Sequence, residues 1–266
     1  MAQPRAREIA ALRRAVQQAL RRWRRRADPI AAPDLGPLAD DLRTALAHAI
    51  EIVASDASAR AVRSITKARA PTARQREVAR VARAKIDRWR GQYVVAEVER
   101  LTVSTRAGVA RVLAESARQG WSADVTARRL KPLLGLNARQ AGQALRYQVG
   151  LINRGVPLRM IDRRVAAFAD RQMAKRASVI ADQAARRAAH MGEVLTWQTG
   201  QEQGVIRTTA QRRWVTEDDD AVCPICVPMD GVEVGLEELF LTSVGAVLVP
   251  NEVHLVCRCD TVLVGA

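Results

Sequence analysis

The chain of 266 residues is long enough for one large domain or two small ones, and its 48% apolar residues argue against wholesale disorder. Only 3% of it is aromatic, so a core has to come from Ala, Leu, Val and Ile, which favours close-packed helices over a β-sandwich. With 43 Lys+Arg against 28 Asp+Glu the formal charge is +15, no apolar run approaches the roughly 18 residues of a membrane span, and Met1–Arg7 lacks the apolar stretch of a signal peptide; a soluble protein that starts life in a cytoplasm is expected.

In chain order, the first element is an amphipathic helix from Arg5 to about Ala27. Ile9, Leu12, Val16, Leu20 and Trp23 recur at three- and four-residue spacing against an arginine-dense face. The run Arg21-Arg22-Trp23-Arg24-Arg25-Arg26 is the densest positive patch. It reads either as an arm for nucleic acid or an acidic partner, with Trp23 as a stacking group, or as a helix end whose arginines offset the C-terminal dipole. Pro29, Pro33, Gly36 and Pro37 break the chain. A second helix is expected from about Leu38 to Ala54, with Leu42, Leu46, Ile50 and Val53 on one stripe, and a shorter one from Ala57 to Ala70. His48, a lone helical histidine, reads as structural.

Pro71 suits the first turn of the next helix, and no proline follows until after Arg118. Unbroken, this segment would measure about 70 Å at 1.5 Å per residue, with Gly91 or Gly108 as places to bend or split it. Ser122 is a candidate N-cap for a helix from Ala123 to about Leu134, and Asn137 for one from Ala138 to about Asn153. A last long helix is expected from about Leu158 to Gly192, with His190 near its C-terminal end in no catalytic role. After about Gly200 short β-like runs appear at 213–216, 232–234, 246–249 and 261–264.

Charge follows the same division. Residues 1–199 hold 39 basic and 17 acidic residues, a net of +22, whereas Gly200–Ala266 holds 4 basic and 11 acidic, a net of −7. A body this basic is expected to attract double-stranded DNA without sequence preference, by releasing counterions from phosphates. The alternative is a set of solvated, arginine-decorated helix faces.

All four cysteines lie in the acidic quarter: Cys223, Cys226, Cys257 and Cys259, with His254 three residues ahead of Cys257. A C-x-x-C turn sets two thiolates on one side of a tight loop, as tetrahedral zinc requires. Five candidates compete for four places, with Cys223, Cys226, His254 and Cys257 the favoured set and Cys259 a substitute. The expected role is a structural zinc closing a segment too small to stand alone. Disulfides formed outside a reducing compartment and a catalytic metal are the alternatives. The nucleobase-deaminase pattern H-x-E followed by P-C-x-x-C is absent. Glu217-Asp218-Asp219-Asp220 reads as an exposed acidic turn, and Asp230-Gly231 as a hairpin turn.

The fold expected is therefore mainly α: an elongated basic helical body with a small C-terminal β-rich, zinc-stabilised module. Its division is an N-terminal arm over 1–70, a long-helix body over 71–200 and a Cys/His-clipped module over 201–266.

The ordered string Trp214-x-Thr216, Asp219, Val222-Cys223-x-x-Cys226, Asp230-Gly231, Pro250 and His254-x-x-Cys257-Arg258-Cys259 resembles the C-terminal signature of phage head-morphogenesis proteins, the minor head proteins of the phage Mu F type. It spans about the last 55 residues. The family commonly has proline after the histidine, where this chain has Leu255, and a proline doublet before it, where only Pro250 stands. The resemblance implies a minor virion component, made in the host cytoplasm and held in the capsid interior near the portal vertex. Its partners would be the portal protein, the major capsid protein or scaffold, and packaged DNA, with no membrane. No residue is required to break a bond, so no enzymatic activity is expected. The competing readings are a metal-dependent DNA-processing enzyme and a zinc-containing DNA-binding regulator, although no helix-turn-helix or C₂H₂ spacing is evident.

Overall fold

The computed structural model describes residues 6–28, 34–65, 71–217, 219–255 and 257–266. The architecture is mainly α, with a small strand-rich region at the C-terminal end that carries the Cys/His cluster. Six helices are described: α1 (Ala6–Arg26), α2 (Gly36–Ser64), α3 (Ala73–Gln119), α4 (Ala123–Leu130), α5 (Ala138–Asn153) and α6 (Leu158–Glu202). Five short strands follow: β1 (Gln211–Val215), β2 (Glu233–Gly235), β3 (Phe240–Thr242), β4 (Gly245–Val247) and β5 (Asp260–Val264).

Local signals set most helix starts. On α1, Leu12, Val16, Leu20 and Trp23 are buried as the stripe predicts, and Ile9 is half-buried. Thr72 and Gln75 form a capping box ahead of α3. Ser122 accepts the Val125 N–H at the start of α4. Asn137 and Gln140 make a reciprocal box at α5. Pro132 turns the chain after Leu130 into a short 3-10 segment, Lys131–Leu133, so α4 stops four residues before the expected Leu134.

Two expectations about continuity, at α2 and α6, are corrected, and the alternative left open at α3 is resolved. The helices expected at 38–54 and 57–70 are one element as far as Ser64, because nothing at Ser55-Asp56 breaks a helix and Ala54, Ala57 and Ala61 are all buried; residues 66–70 lie outside the described set. Helix α3 runs unbroken for 47 residues through both Gly91 and Gly108. Helix α6 does not end at Gly192 but continues to Glu202. Gly192 is a packing notch: a Cβ there would stand 2.4 Å from the Ala54 carbonyl oxygen on α2. The stop comes at Gly204, whose φ of +64° is where glycine is favoured.

The chain divides into two compact units that do not follow the 1–70, 71–200 and 201–266 segments, because α1, α2, α3 and α6 each contribute to both. One unit gathers residues up to 12, 47–92 and 181–266; the other holds 13–46 and 93–180. In the second unit Arg176, 6% exposed, donates to Gly135 O (2.5 Å), Leu101 O (3.1 Å) and Ser104 Oγ (2.6 Å), joining α6 to α3 and to the loop before α5. Burial lowers its pKa to about 10, so it remains a cation at neutral pH.

In the first unit the strand-rich region is docked on helices. Met191, Val194 and Trp197 of α6 and Ala61 of α2 share one apolar cluster with Ile206, Ala210, Leu236 and Val249. Gln183 donates to Asn251 O at 2.9 Å, and Gln198 to Leu236 O at 2.9 Å. The strands form an antiparallel sheet in the order β2-β1-β5 and a separate β3–β4 hairpin. Four strands fall near their expected positions. β3 has no counterpart in the sequence reading, and β1 begins two residues early because a buried Arg212 sits where a polar boundary is expected. Arg212 donates to Leu248 O (2.7 Å) and Glu238 O (2.6 Å) and lies over the Phe240 ring.

Candidate metal centre

The centre is assembled by the turns that flank β1 and β5. Trp214 of β1 is fully buried and meets Phe240 edge to face, with centroids 5.1 Å apart at 84°. Its backbone N–H donates to Val232 O (2.8 Å), and its carbonyl accepts from Gly231 N (2.9 Å). Asp230 Oδ1 accepts from the backbone N–H (2.8 Å) and hydroxyl (3.0 Å) of Thr216, and Gly231 follows with φ of +76°. Trp214, Thr216 and the Asp230-Gly231 pair thus form one clasp that fixes where the Cys223–Cys226 turn emerges. In that turn the N–H groups of Cys226 and Val227 both donate to Cys223 O, at 2.9 and 3.1 Å, which tightens it so that both sulfurs face one side.

The second half arrives from a short 3-10 turn opened by Pro250 and ends where Cys259 meets β5. The halves are locked by an ion pair: Arg258 donates to both carboxylate oxygens of Asp219, at 2.7 and 2.6 Å. The acidic turn is exposed at Asp219 and Asp220, as expected, and Asp219 holds Arg258 at the surface. Asp218 lies outside the described residues.

Five side chains converge. Cys223, Cys226 and His254 have donor atoms within 4.8 Å of one another, as do Cys226, Cys257 and Cys259, so Cys226 belongs to both triads. Cys226 Sγ lies 3.8 Å from Cys257 Sγ and 3.8 Å from His254 Nε2. Two sulfurs bound at 2.3 Å to one tetrahedral ion stand about 3.8 Å apart, so the spacing suits a common metal. The cysteines are free, and the 3.8 Å between Cys226 Sγ and Cys257 Sγ is far beyond a disulfide bond of about 2.05 Å. Packed thiols alone would also approach this closely, but they would not need an imidazole nitrogen held in the ligating tautomer. His254 Nδ1 donates to Leu255 O at 2.9 Å, which turns Nε2 toward Cys226.

Electrostatics in the ion-free cluster are those of sulfurs crowded in an apolar shell. Burial, then Cys223 and Cys259, push the Cys226 thiol up to about 12, and the hydrogen bond to Cys259, then burial, raise Cys257 as well. Cys259, accepting from Cys257, is lowered to about 6. A bound cation reverses the first two shifts by replacing neighbouring negative charge with positive. These residues can hold a thiophilic metal ion. Of the favoured quartet, Cys223, Cys226 and His254 form one triad, while Cys257 pairs with Cys226 and Cys259 in the other.

The remaining expected residues fall elsewhere. Trp23 is 2% exposed and its Nε1 donates to Asp34 O at 2.7 Å, so the expected base-stacking role is closed to it without leaving the core. Arg22 pairs with Asp41 (3.2 Å) and Arg24 with Asp170 (2.7 Å), whereas Arg21, Arg25 and Arg26 are exposed. His48 is exposed on α2.

The sequence reading missed a buried ionisable group behind β5. His190 Nδ1 lies 3.4 Å from Asp260 Oδ1, both almost fully buried, with Glu193 one turn along α6. Burial, then the neighbouring Asp260 charge, raise Glu193 to about 8. A carboxyl raised in the folded state stabilises most fully below its unfolded pKa of about 4.5, and that contribution is lost as pH rises through 8. Glu193→Gln is expected to flatten the decline of thermal stability between pH 5 and 8. Parallel melting curves for wild type and variant across that window would refute the assignment. His190, lowered chiefly by burial, acts in the opposite sense at its acid end, so the comparison is made between the two proteins and not on one curve.

Comparison of the chain with family models, with curated proteins and with solved structures gives no match.

Proposed function

We propose that this protein is a structural minor head component of a tailed phage or phage-like particle. It would act in head assembly at the portal, contacting the portal protein, the major capsid protein or scaffold, and packaged DNA, inside the capsid near the portal vertex. The observation that carries this reading is the mutual fit of the signature residues. Trp214, Thr216, Asp219, Asp230, Gly231, Arg258, His254 and the four cysteines are spaced irregularly along about 45 positions, yet they serve one clasped cluster.

The ion is zinc in this reading, since thiolates with one imidazole at tetrahedral spacing are its ordinary ligands. The sulfurs are packed with Trp214, Met229 and Phe240 in one apolar cluster, which favours a structural role over a catalytic one. The net charge of +22 on residues 1–199 supports the contact with DNA. Co-expression with the portal and major capsid subunits of a tailed phage, followed by affinity purification, tests the assembly role: retention of the portal is expected, and its absence would overturn the reading. The DNA contact predicts steep salt dependence. For six neutralised phosphates, affinity for random-sequence duplex drops about a thousandfold between 50 and 200 mM salt. A flat anisotropy titration over that range counts against it.

A further inference from the structure

An open cavity of about 380 Å³ lies wholly within the unit formed by residues 13–46 and 93–180. Five cations line it, drawn from separate stretches of chain: Arg24 and Arg25 from the end of α1, Arg128 and Arg129 from the end of α4, and Lys131 from the 3-10 turn. Its size is within the roughly 300–1,000 Å³ range of ligand pockets.

Among the described residues, two carboxylates line the recess with these five cations, Asp162 and Asp170, and Asp170 is matched by Arg24 at 2.7 Å. Arg24 also donates to Pro132 O at 3.3 Å and so belongs to the wall. Arg25, Arg128 and Lys131 have no carboxylate within ion-pair distance among the described residues. Arg129 is set in place by the Trp121 ring, its guanidinium carbon 4.0 Å from the centroid, while Asp162 supplies the nearest counter-charge. Pro132, Val165 and Ala166 provide apolar surface between the charges. Offsetting the negative ends of α1 and α4 explains basic residues at each helix end. It does not explain why they converge on one recess with an unmatched surplus of charge.

We infer that this recess seats a phosphate group of a nucleic-acid strand, gripped by Arg128 and Arg129 with Arg25 and Lys131 at the rim and the sugar against Pro132 and Val165. Guanidinium forks bind phosphate oxygens two at a time, which a lysine in the same place does not do. The inference rests on the proposed contact with DNA and names where the strand is held. An acidic polypeptide offers single carboxylates in place of a continuous line of phosphates, and the strongly basic helical body favours the latter.

The test uses the full chain and fluorescence anisotropy with random-sequence duplex. Arg128→Ala/Arg129→Ala is compared with Arg74→Ala/Arg106→Ala, which removes equal charge from exposed positions on α3. The cavity pair is expected to weaken binding at least about tenfold more than the control pair and to lower the salt slope by about 2. Equal losses in the two doubles would overturn the site while leaving the DNA contact intact; no binding by wild type would instead remove the reading on which it rests. Arg129→Lys guards against misfolding: charge is kept, so affinity between wild type and the double is expected, and wild-type affinity would mean that the fork plays no part. Free nucleotide and polyglutamate are the competitors. Displacement of duplex by nucleotide at millimolar concentration separates a free phosphate ligand from a strand and would overturn the strand assignment if nucleotide bound as tightly as duplex. Tighter binding of polyglutamate than of duplex, lost in the same double, would overturn it in favour of an acidic protein.

Discussion

Replacing Cys226 by serine is expected to empty the metal centre and unfold the strand-rich region, because this one sulfur belongs to both triads. Purified wild-type protein should contain one bound ion per chain, and Cys226→Ser close to none. The energetic stake is large: structural zinc contributes on the order of 10 kcal/mol to small domains near neutral pH. Cys226, Cys257 and Cys259 pack in one apolar cluster with Trp214 and Phe240, so a change at the centre reaches that core directly. The helices have their own packing and caps, so the far-ultraviolet helical signal should hardly change while the near-ultraviolet signal of Trp214 is lost. His254→Ala is expected to weaken retention of the ion without abolishing it, since Cys259 remains as a fifth donor. A metal-free wild-type protein with the same melting temperature and an ordered terminus would sink the proposal, as would full metal content in Cys226→Ser.

Adding one methyl group at Gly108 should be among the most damaging single changes in the helical region. A Cβ there would lie 2.0 Å from the Leu136 carbonyl oxygen and 2.9 Å from its carbon, and both belong to backbone that cannot swing aside. Overpacking of this kind costs about 3 kcal/mol or more, because α3 must shift away from the loop that begins α5. Gly192→Ala meets the Ala54 carbonyl at 2.4 Å and is expected to behave similarly in the other unit. Gly91→Ala is the contrast: nothing lies within 4 Å, and replacing a helical glycine should stabilise by about 0.5–1 kcal/mol. Chemical denaturation of the three variants checks the set. Equal midpoints for Gly108→Ala and Gly91→Ala would show that the close approach on α3 is not a constraint.

Much of this architecture was legible from the chain. Two helix starts announced themselves because Ser122 and Asn137 each accept a backbone N–H only three residues away. The buried stripe of α1 follows from a period of 3.6 residues, and the C-x-x-C turn carries its geometry within four positions. Trp23 misled because burial and stacking draw on the same aromatic surface, and the Asp34 carbonyl that claims its N–H is eleven residues off.

What the amino-acid order determined was whatever local chemistry could fix: the helical class, the caps, the charge division and the set of residues able to ligate a metal. Folding decided matters that depend on segments meeting from a distance. It set whether Gly192 ends a helix or admits another, that Asp219 is spent on Arg258, that Arg212 and Glu193 lie inside, and that basic residues about a hundred positions apart surround one recess. A glycine, an aspartate or an arginine carries the same side chain in either role, and the role is chosen by whichever backbone or charge the tertiary packing places beside it.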